Sequence, residues 1–137
     1  MSAPCFEYPI RVQPHHTDYA GIVWHGTYLT WLEEARVEAL RSTGIDYADL
    51  VALGCELPVV ELSLRYRASL KMGMAAVVKA RMRPLTGVRV HWDYEIWADQ
   101  QLCVTAQVTL VPLDRQGKIL RQLPIALEQA LGKLAGR

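Results

Sequence analysis

The chain has 137 residues, 51% of them hydrophobic, with 15 Lys and Arg against 14 Asp and Glu. This length suits one domain with one sizeable core, so we expect a single domain over 1–137. The near-balance of charge excludes a global field that would recruit nucleic acid or an anionic membrane. We therefore expect neither of them as a partner.

The chain also lacks the features of secreted and membrane proteins. No run approaches the ~20 apolar residues that a membrane span requires, and the first residues lack a basic start followed by an apolar region. Cys5, Cys55 and Cys103 are odd in number, far apart and without a CxxC pair. This pattern favours reduced thiols over a disulfide framework or a zinc site. We expect a cytoplasmic protein with no metal and no separate cofactor.

The first third of the chain predicts a strand and then two helices. Apolar residues alternate with polar ones in a first strand at Tyr8, Ile10 and Val12. Apolar residues then recur at spacings of three and four over 27–42, which predicts a helix, and Gly44 is placed to end it. A shorter helix is predicted over 47–53.

The remainder predicts four alternating strands and a C-terminal helical segment. The alternating runs are 60–67, 78–83, 88–96 and 102–110, and the helical segment is 124–134. Short connections at 71–73, 84–87, 98–101 and 114–117 predict that the strands follow one another as antiparallel neighbours. A five-stranded sheet with one apolar face needs a cover, and the long helix is large enough to provide it. The fold class predicted is α+β, with a five-stranded antiparallel sheet wrapped around one long central helix.

The segment that joins the first strand to the long helix carries the chemistry. It places Asp18, a permissive Gly21 and a helix N-terminus within ten residues. Backbone N–H groups and the helix dipole suit a polarised carbonyl, and a nearby carboxylate can attack it or activate water. Thioester hydrolysis needs these two features. An Asp before a helix is more often only a cap or a turn residue, so this alternative stays open.

A resemblance strengthens the functional interpretation. The pattern Asp18-x-Ala20-Gly21-Ile22-Val23-Trp24, followed by Tyr28 and Trp31-Leu32, resembles that of the 4-hydroxybenzoyl-CoA thioesterase family and its YbgC-type relatives. The family has the hotdog fold, and the order of elements agrees over most of the chain. The resemblance implies an acyl-CoA thioesterase that hydrolyses a short-chain or aromatic acyl-CoA.

Site residues follow from that resemblance. It implies that Asp18 is the nucleophile or general base, that backbone amides near Trp24 and His25 form the oxyanion hole, and that His25 assists. A Tyr that many YbgC-type chains carry is replaced here by Pro14. The substrate pocket is expected to include the following residues: Gly21, Val23, Trp24, Tyr28, Val60 and Glu61. His25 has an alternative role as a plain polar residue at the helix start.

Coenzyme A carries phosphates, for which arginine is well suited. The resemblance implies that coenzyme A binds along the turn between the third and fourth strands, at Arg83, Thr86, Gly87, Val88 and Arg89. Outward charges on exposed strands are an equally good explanation for any one of these arginines. His15 and His16 are adjacent on an extended segment and point in opposite directions, so no metal site is expected.

The site is expected to be shared between subunits. The resemblance implies a homo-dimer or homo-tetramer with the site between chains, where Val60 and Glu61 come from the second chain. Trp92 and Trp97 fall on opposite faces of their strand, so one of them needs a further cover. Acyl carrier protein presents the same pantetheine arm and is an alternative substrate carrier. A hotdog hydratase and a non-catalytic module that binds acyl-CoA or a partner also stay open as functions.

Overall fold

The computed structural model describes residues 4–136, so residues 1–3 and 137 of the predicted domain lie outside it. The strands are β1 (Phe6–Arg11), β2 (Val59–Tyr66), β3 (Ala75–Met82), β4 (Val90–Ala98) and β5 (Gln101–Leu110). The helices are α1 (Thr27–Arg41), α2 (Tyr47–Ala52) and α3 (Ile125–Leu134), with a 3-10 turn at Pro14–His16. Hydrophobic periodicity located each helix and strand to within a few residues.

The strands form one antiparallel sheet in the order β1-β3-β4-β5-β2. β2 pairs with β5, so that Leu62 lies opposite Val108. The prediction that all the strands follow one another as neighbours is therefore wrong for β2 and β3. Their connection is a crossover whose backbone bonds to the segment after β1: Val23 N–H donates to Leu70 O (2.9 Å) and Gly73 N–H to Val12 O (2.9 Å). The predicted connection at 114–117 is likewise a turn in the loop after β5 and joins no two strands.

The concave face of the sheet packs on α1. The buried face of that helix consists of Tyr28, Trp31, Leu32, Ala35, Ala39 and Leu40. Ala35 and Ala39 are fully buried, and their small side chains let the helix approach the sheet closely. Burial alternates along β4, so one face of the strand lies in the core and the other does not. Each large apolar side chain buried here stabilises the fold by about 1.5–3 kcal/mol.

The two β4 tryptophans lie on opposite faces of the sheet, as predicted. Trp92 is in the core with 4% exposure. Trp97 is on the outer face, where Lys79 Nζ lies 5.3 Å from its ring centroid. The indole N–H of Trp97 donates to Glu95 Oε1 at 3.0 Å. The outer tryptophan is thus covered in part by charged neighbours of its own chain.

Two further elements complete the fold. α3 packs against α1 and β3 through Leu127 and Leu131, which are buried. β2 is an edge strand whose residues are exposed on both faces except for a half-buried Leu64. Its large apolar side chains Val59, Val60, Leu62 and Tyr66 are 43–53% exposed. Within residues 4–136, no helix combines the length and apolar character needed to cross a membrane.

Candidate active site

A small hairpin precedes α1 and displays Asp18. Thr17 pairs with Val23 across it, and Asp18 N–H donates to Ile22 O at 2.8 Å. Gly21 closes the turn with φ 77°, a conformation that costs residues with a Cβ about 1–2 kcal/mol. The hairpin ends where α1 begins, so the carboxylate and the helix start are held in one short segment.

The two oxygens of the Asp18 carboxylate differ in their hydrogen bonds. Oδ1 accepts hydrogen bonds from the N–H groups of Ala20 (2.9 Å) and Ile22 (3.2 Å) and so holds the turn. Oδ2 accepts no hydrogen bond from residues 4–136, and Asp18 is exposed. Asp18 is therefore a turn residue, as the alternative interpretation held. That role uses only one carboxylate oxygen and leaves the other open toward solvent.

The free amides at the start of α1 only partly match the predicted pair, Trp24 and His25. Trp24 was one of the two predicted donors, but its N–H donates to His16 O at 3.0 Å and is not available to a substrate oxygen. The N–H groups of His25 and Gly26 have no acceptor within the described chain. Gly26 is the N-cap residue and has no side chain to occupy the first-turn amides. Sequence reasoning missed Gly26, although the lack of a capping side chain before Thr27 was a usable signal.

An open cleft of about 280 Å³ lies between the helix start and the end of β2. Its walls are Ile22, Val23, His25, Tyr28, Tyr66, Arg67, Ala68 and Ser69. Three of the predicted pocket and site residues therefore meet here, namely Val23, His25 and Tyr28. Asp18, Gly21 and Trp24 do not line the cleft. The Trp24 ring is 54% exposed and lies 4.6 Å from the His25 ring, centroid to centroid.

Tyr66 is a cleft residue that the sequence did not indicate. Its hydroxyl donates to His25 O at 3.2 Å, and its ring lies edge-on to Tyr28 at 5.3 Å. Burial raises the pKa of Tyr28, so its phenol is neutral near pH 7. No hydrogen bond joins the Asp18 and His25 side chains in the described part of the chain. A ligand or water molecule in the cleft would have to connect them.

The remaining predicted residues lie at the other end of the sheet. Val60 and Glu61 are near the start of β2, roughly 15–20 Å along the strand from Tyr66 at about 3.3 Å per residue. The turn with Thr86, Gly87 and Val88 joins β3 to β4 at that same end, where Val90 pairs with Leu110. One chain thus holds the predicted site residues in two separate groups.

The two arginines of that turn differ in availability. Arg83 makes a bidentate ion pair with Asp93 at 2.9 and 2.8 Å, so its guanidinium is already occupied. Arg89 has no acidic partner among residues 4–136 and lines a hollow on the outer sheet face together with Glu61 and His91. Of the two predicted phosphate ligands, Arg89 is the one that is free to bind.

A second, more apolar cavity of about 220 Å³ lies under the sheet near the start of β2. Its apolar walls include Val37, Leu40, Tyr47, Leu57, Trp92 and Leu131. Two charged residues of α1, Glu33 and Arg36, also line it. Within the described residues, no group of three or more His, Cys, Asp or Glu side chains is arranged to hold a metal ion.

Comparison with known proteins identifies the family. Residues 12–131 match the Thioesterase-like superfamily. The chain is 54% identical over 132 residues to "Putative esterase sll0410" of Synechocystis, covering 94% of this chain and 80% of that protein. It is 26% identical over 125 residues to the acyl-CoA thioester hydrolase YbgC of Escherichia coli, covering 90% and 93%.

A solved structure agrees in fold. Slr0204, a 1,4-dihydroxy-2-naphthoyl-CoA thioesterase from Synechocystis, superposes with a TM-score of 0.87 at 27% identity, covering 96% of this chain and 98% of that one. The sheet wrapped around α1 is thus the hotdog architecture that the resemblance implied. The chain belongs to the Thioesterase-like superfamily, has the hotdog fold and is a thioester hydrolase.

Proposed function

We propose that the protein hydrolyses a short-chain or aromatic acyl-CoA, with Asp18 as the reacting carboxylate and with the amides of His25 and Gly26 as the oxyanion hole. The observation that carries this proposal is the free Oδ2 of Asp18 in the hairpin that leads into α1, together with the N–H groups of His25 and Gly26, which have no acceptor within the described chain. Amides of this kind stabilise the negative charge that develops on a carbonyl oxygen during attack.

The reaction can follow either of two balanced routes. As a nucleophile, Asp18 Oδ2 bonds to the thioester carbon and the C–S bond breaks to release the coenzyme A thiolate, after which water cleaves the mixed anhydride. As a general base, Oδ2 takes a proton from water while the water oxygen bonds to that carbon; the C–S bond then breaks, and the proton passes from Oδ2 to the leaving thiolate. Both routes give one carboxylic acid and one thiol for each thioester and water consumed. His25 lines the cleft, where its ring can orient that water.

The site is proposed to lie between two copies of the chain. β2 is an edge strand with exposed apolar side chains, which is a surface prone to pair with another strand. Antiparallel pairing about a two-fold axis near Leu62 and Ser63 would set Val59 of one copy opposite Tyr66 of the other. The helix start of one copy, with the hairpin that carries Asp18, would then adjoin the apolar cavity, Val60, Glu61 and the Thr86–Arg89 turn of the second. The acyl group would enter that cavity, and Arg89 with the turn amides would meet the phosphates.

Asp18→Asn is the test of the carboxylate. An Asn oxygen can keep the two turn hydrogen bonds, while the reactive carboxylate is lost. We expect thiol release from acyl-CoA to fall at least about a hundredfold in kcat, since general-base or nucleophilic groups contribute on that scale. Asp114→Asn is the matched control, because Asp114 Oδ1 also accepts two backbone N–H bonds in a turn, from Gln116 and Lys118, outside the candidate site. Wild-type activity in Asp18→Asn would overturn the assignment.

Subunit mixing tests the shared site. Asp18→Asn and Leu57→Trp, which fills the cavity, should each be inactive alone. If each site uses Asp18 of one copy and the cavity of the other, a mixed dimer has one intact site of two. Random re-association should then restore about a quarter of wild-type activity. No recovery in a confirmed mixed dimer would place both groups in one chain. Leu62→Glu should give monomers by light scattering.

Acyl carrier protein remains the alternative carrier, because the cleft chemistry is the same for both thioesters. Arg89 separates the carriers, since coenzyme A has a phosphorylated nucleotide that carrier protein lacks. Arg89→Met should raise KM for acyl-CoA and leave KM for acyl-pantetheine unchanged.

A non-catalytic binding role predicts no thiol release with any acyl-CoA. We propose the cytoplasm as the location; the free thiols of Cys5, Cys55 and Cys103 are compatible with a reducing compartment.

A further inference from the structure

Arg36 is a cation on the wall of an otherwise largely apolar cavity. It lies on α1 and is half-buried, and it lines the 220 Å³ cavity beside Leu40 and Trp92. Its Nη1 reaches the Tyr94 hydroxyl at 3.3 Å, and Tyr94 is only 2% exposed. At least one nitrogen of the guanidinium is therefore directed toward the sheet, while the side chain keeps partial contact with solvent.

That guanidinium has no negative partner among the described residues. None of the ion pairs formed within residues 4–136 includes Arg36. Burial raises the pKa of Tyr94, so its phenol stays neutral and supplies a hydrogen bond but no charge. A guanidinium cannot lose its proton at ordinary pH, and burial of an unpaired charge is costly. Something anionic in the cavity would offset that cost.

The cavity has room for such a group. An apolar protein cavity of about 150 Å³ holds benzene, and this one measures about 220 Å³. A ring or a short chain that carries one carboxylate fits that volume. Glu33 also lines the cavity, but it is exposed to solvent, whereas Arg36 is half-buried and bonded to the Tyr94 hydroxyl. The negative charge of Glu33 repels a carboxylate at the exposed side of the cavity and so favours its binding beside Arg36.

We propose that the cavity binds an acyl group with a carboxylate at the end remote from the thioester, and that Arg36 pairs with this carboxylate. The proposal rests on the proposed function and names its substrate class, a half-thioester of a dicarboxylic acid. The apolar walls contact the carbon chain or ring, and Arg36 donates N–H bonds to the distal oxygens. Arg36 is thus a specificity residue that takes no part in C–S cleavage.

Paired thioesters of equal shape test this proposal. Glutaryl-CoA is compared with 5-methylhexanoyl-CoA, and 4-carboxybenzoyl-CoA with 4-isopropylbenzoyl-CoA, so that each pair differs by carboxylate against isopropyl. Wild type should favour the carboxylated member at least about tenfold in kcat/KM, as expected for a charge-assisted hydrogen bond. Arg36→Met should reverse that preference, and Arg36→Lys should keep part of it. Arg121→Met removes an exposed charge from the loop after β5 and should leave the ratio unchanged.

Failure of this inference differs from failure of the proposed function. A wild-type preference for the isopropyl member, an unchanged ratio in Arg36→Met, or a stronger preference for 4-hydroxybenzoyl-CoA than for 4-carboxybenzoyl-CoA overturns it. Calorimetric binding of the aromatic pair to Asp18→Asn and Asp18→Asn/Arg36→Met proteins gives the same comparison without turnover. If no thioester is hydrolysed by wild type, the proposed function fails, and the binding ratio still decides for or against Arg36.

Discussion

Asp18 and Asp114 make the same four hydrogen bonds in two separate turns. In each turn, Oδ1 accepts from the N–H groups two and four residues later, at 2.9 and 3.2 Å for Asp18 and at 2.8 and 2.9 Å for Asp114. In each, the Asp N–H donates to the carbonyl four residues on, and a Gly three residues on donates to the Asp carbonyl. The turn geometry alone therefore does not identify the candidate site. What distinguishes Asp18 from Asp114 is that its turn lies directly before α1.

This equivalence predicts equal stability effects and unequal activity effects. Asp18→Ala and Asp114→Ala should each lower the free energy of unfolding by about 1–2 kcal/mol, because each loses two hydrogen bonds in an exposed turn. Urea unfolding measures this. Activity should be lost only in Asp18→Ala. A large stability loss for Asp18→Ala with none for Asp114→Ala would show that Asp18 does more structural work than its turn bonds explain.

Tyr66 is predicted to position the His25 backbone. Tyr66→Phe removes only the hydroxyl that donates to His25 O, at 3.2 Å. Because Tyr66 is about half exposed, the free energy of unfolding should fall by no more than about 1 kcal/mol. We expect kcat to fall more than KM rises, since the peptide unit that contains His25 O and the Gly26 N–H would lose its fixed position. Tyr8→Phe, which removes an exposed bond to Glu34, is the control and should keep full activity.

Gly26 is predicted to be required for full activity, because a side chain at this position would clash with Trp24. A Cβ at residue 26 would lie on the outer edge of the Trp24 indole. Gly26 has φ −71° and ψ −24°, which suit alanine, and the exposed indole can swing aside. Gly26→Ala should therefore cost little stability, displace the indole from His25 and lower kcat/KM.

A double-mutant cycle checks that explanation. With Trp24→Ala already present, Gly26→Ala should have almost no further effect on kcat/KM, because the clash is gone. Additive losses in the double variant would mean that Gly26 acts independently of the indole. Tryptophan fluorescence of the single Gly26→Ala variant should report the moved ring.

His16 is predicted to make stability depend on pH. Burial, and then the charge of neighbouring His15, lowers the pKa of His16 below its usual 6.5. Its neutral Nδ1 accepts the Gln13 N–H at 2.8 Å. Between the lowered folded-state pKa and the ordinary one, the unfolded chain binds more protons, so the free energy of unfolding rises with pH there. The stabilisation is complete above about pH 6.5 and is lost as the pH falls through the folded-state pKa.

Unfolding measured from pH 5 to 8 tests the His16 assignment. His16→Asn keeps an acceptor near the Nδ1 position and should flatten the slope in this window. His15→Gln removes a neighbouring charge, so the pKa of His16 should rise toward 6.5 and the pH range over which stability changes should narrow toward that value. A wild-type slope that persists unchanged in His16→Asn would assign it to another group.

Local sequence patterns were sufficient to predict the helices, the strands and the family of this protein. Apolar spacing placed α1 almost to the residue, and alternation placed β4 and put Trp92 and Trp97 on opposite faces, because helices and strands bury faces with fixed periods. The resemblance around Asp18 identified the family that the comparisons show. These conclusions depend on residues that are near one another in the chain.

Tertiary structure decided what depends on distant residues. β2 pairs with β5 and not with β3, because the segment between them is held by the backbone after β1, which no local pattern reports. The Trp24 amide is used by His16, and Tyr66 reaches His25 from 41 residues away. Asp18 was recognisable from sequence as an acid before a helix. Only the fold showed that one of its oxygens holds the turn while the other accepts no hydrogen bond from the described chain.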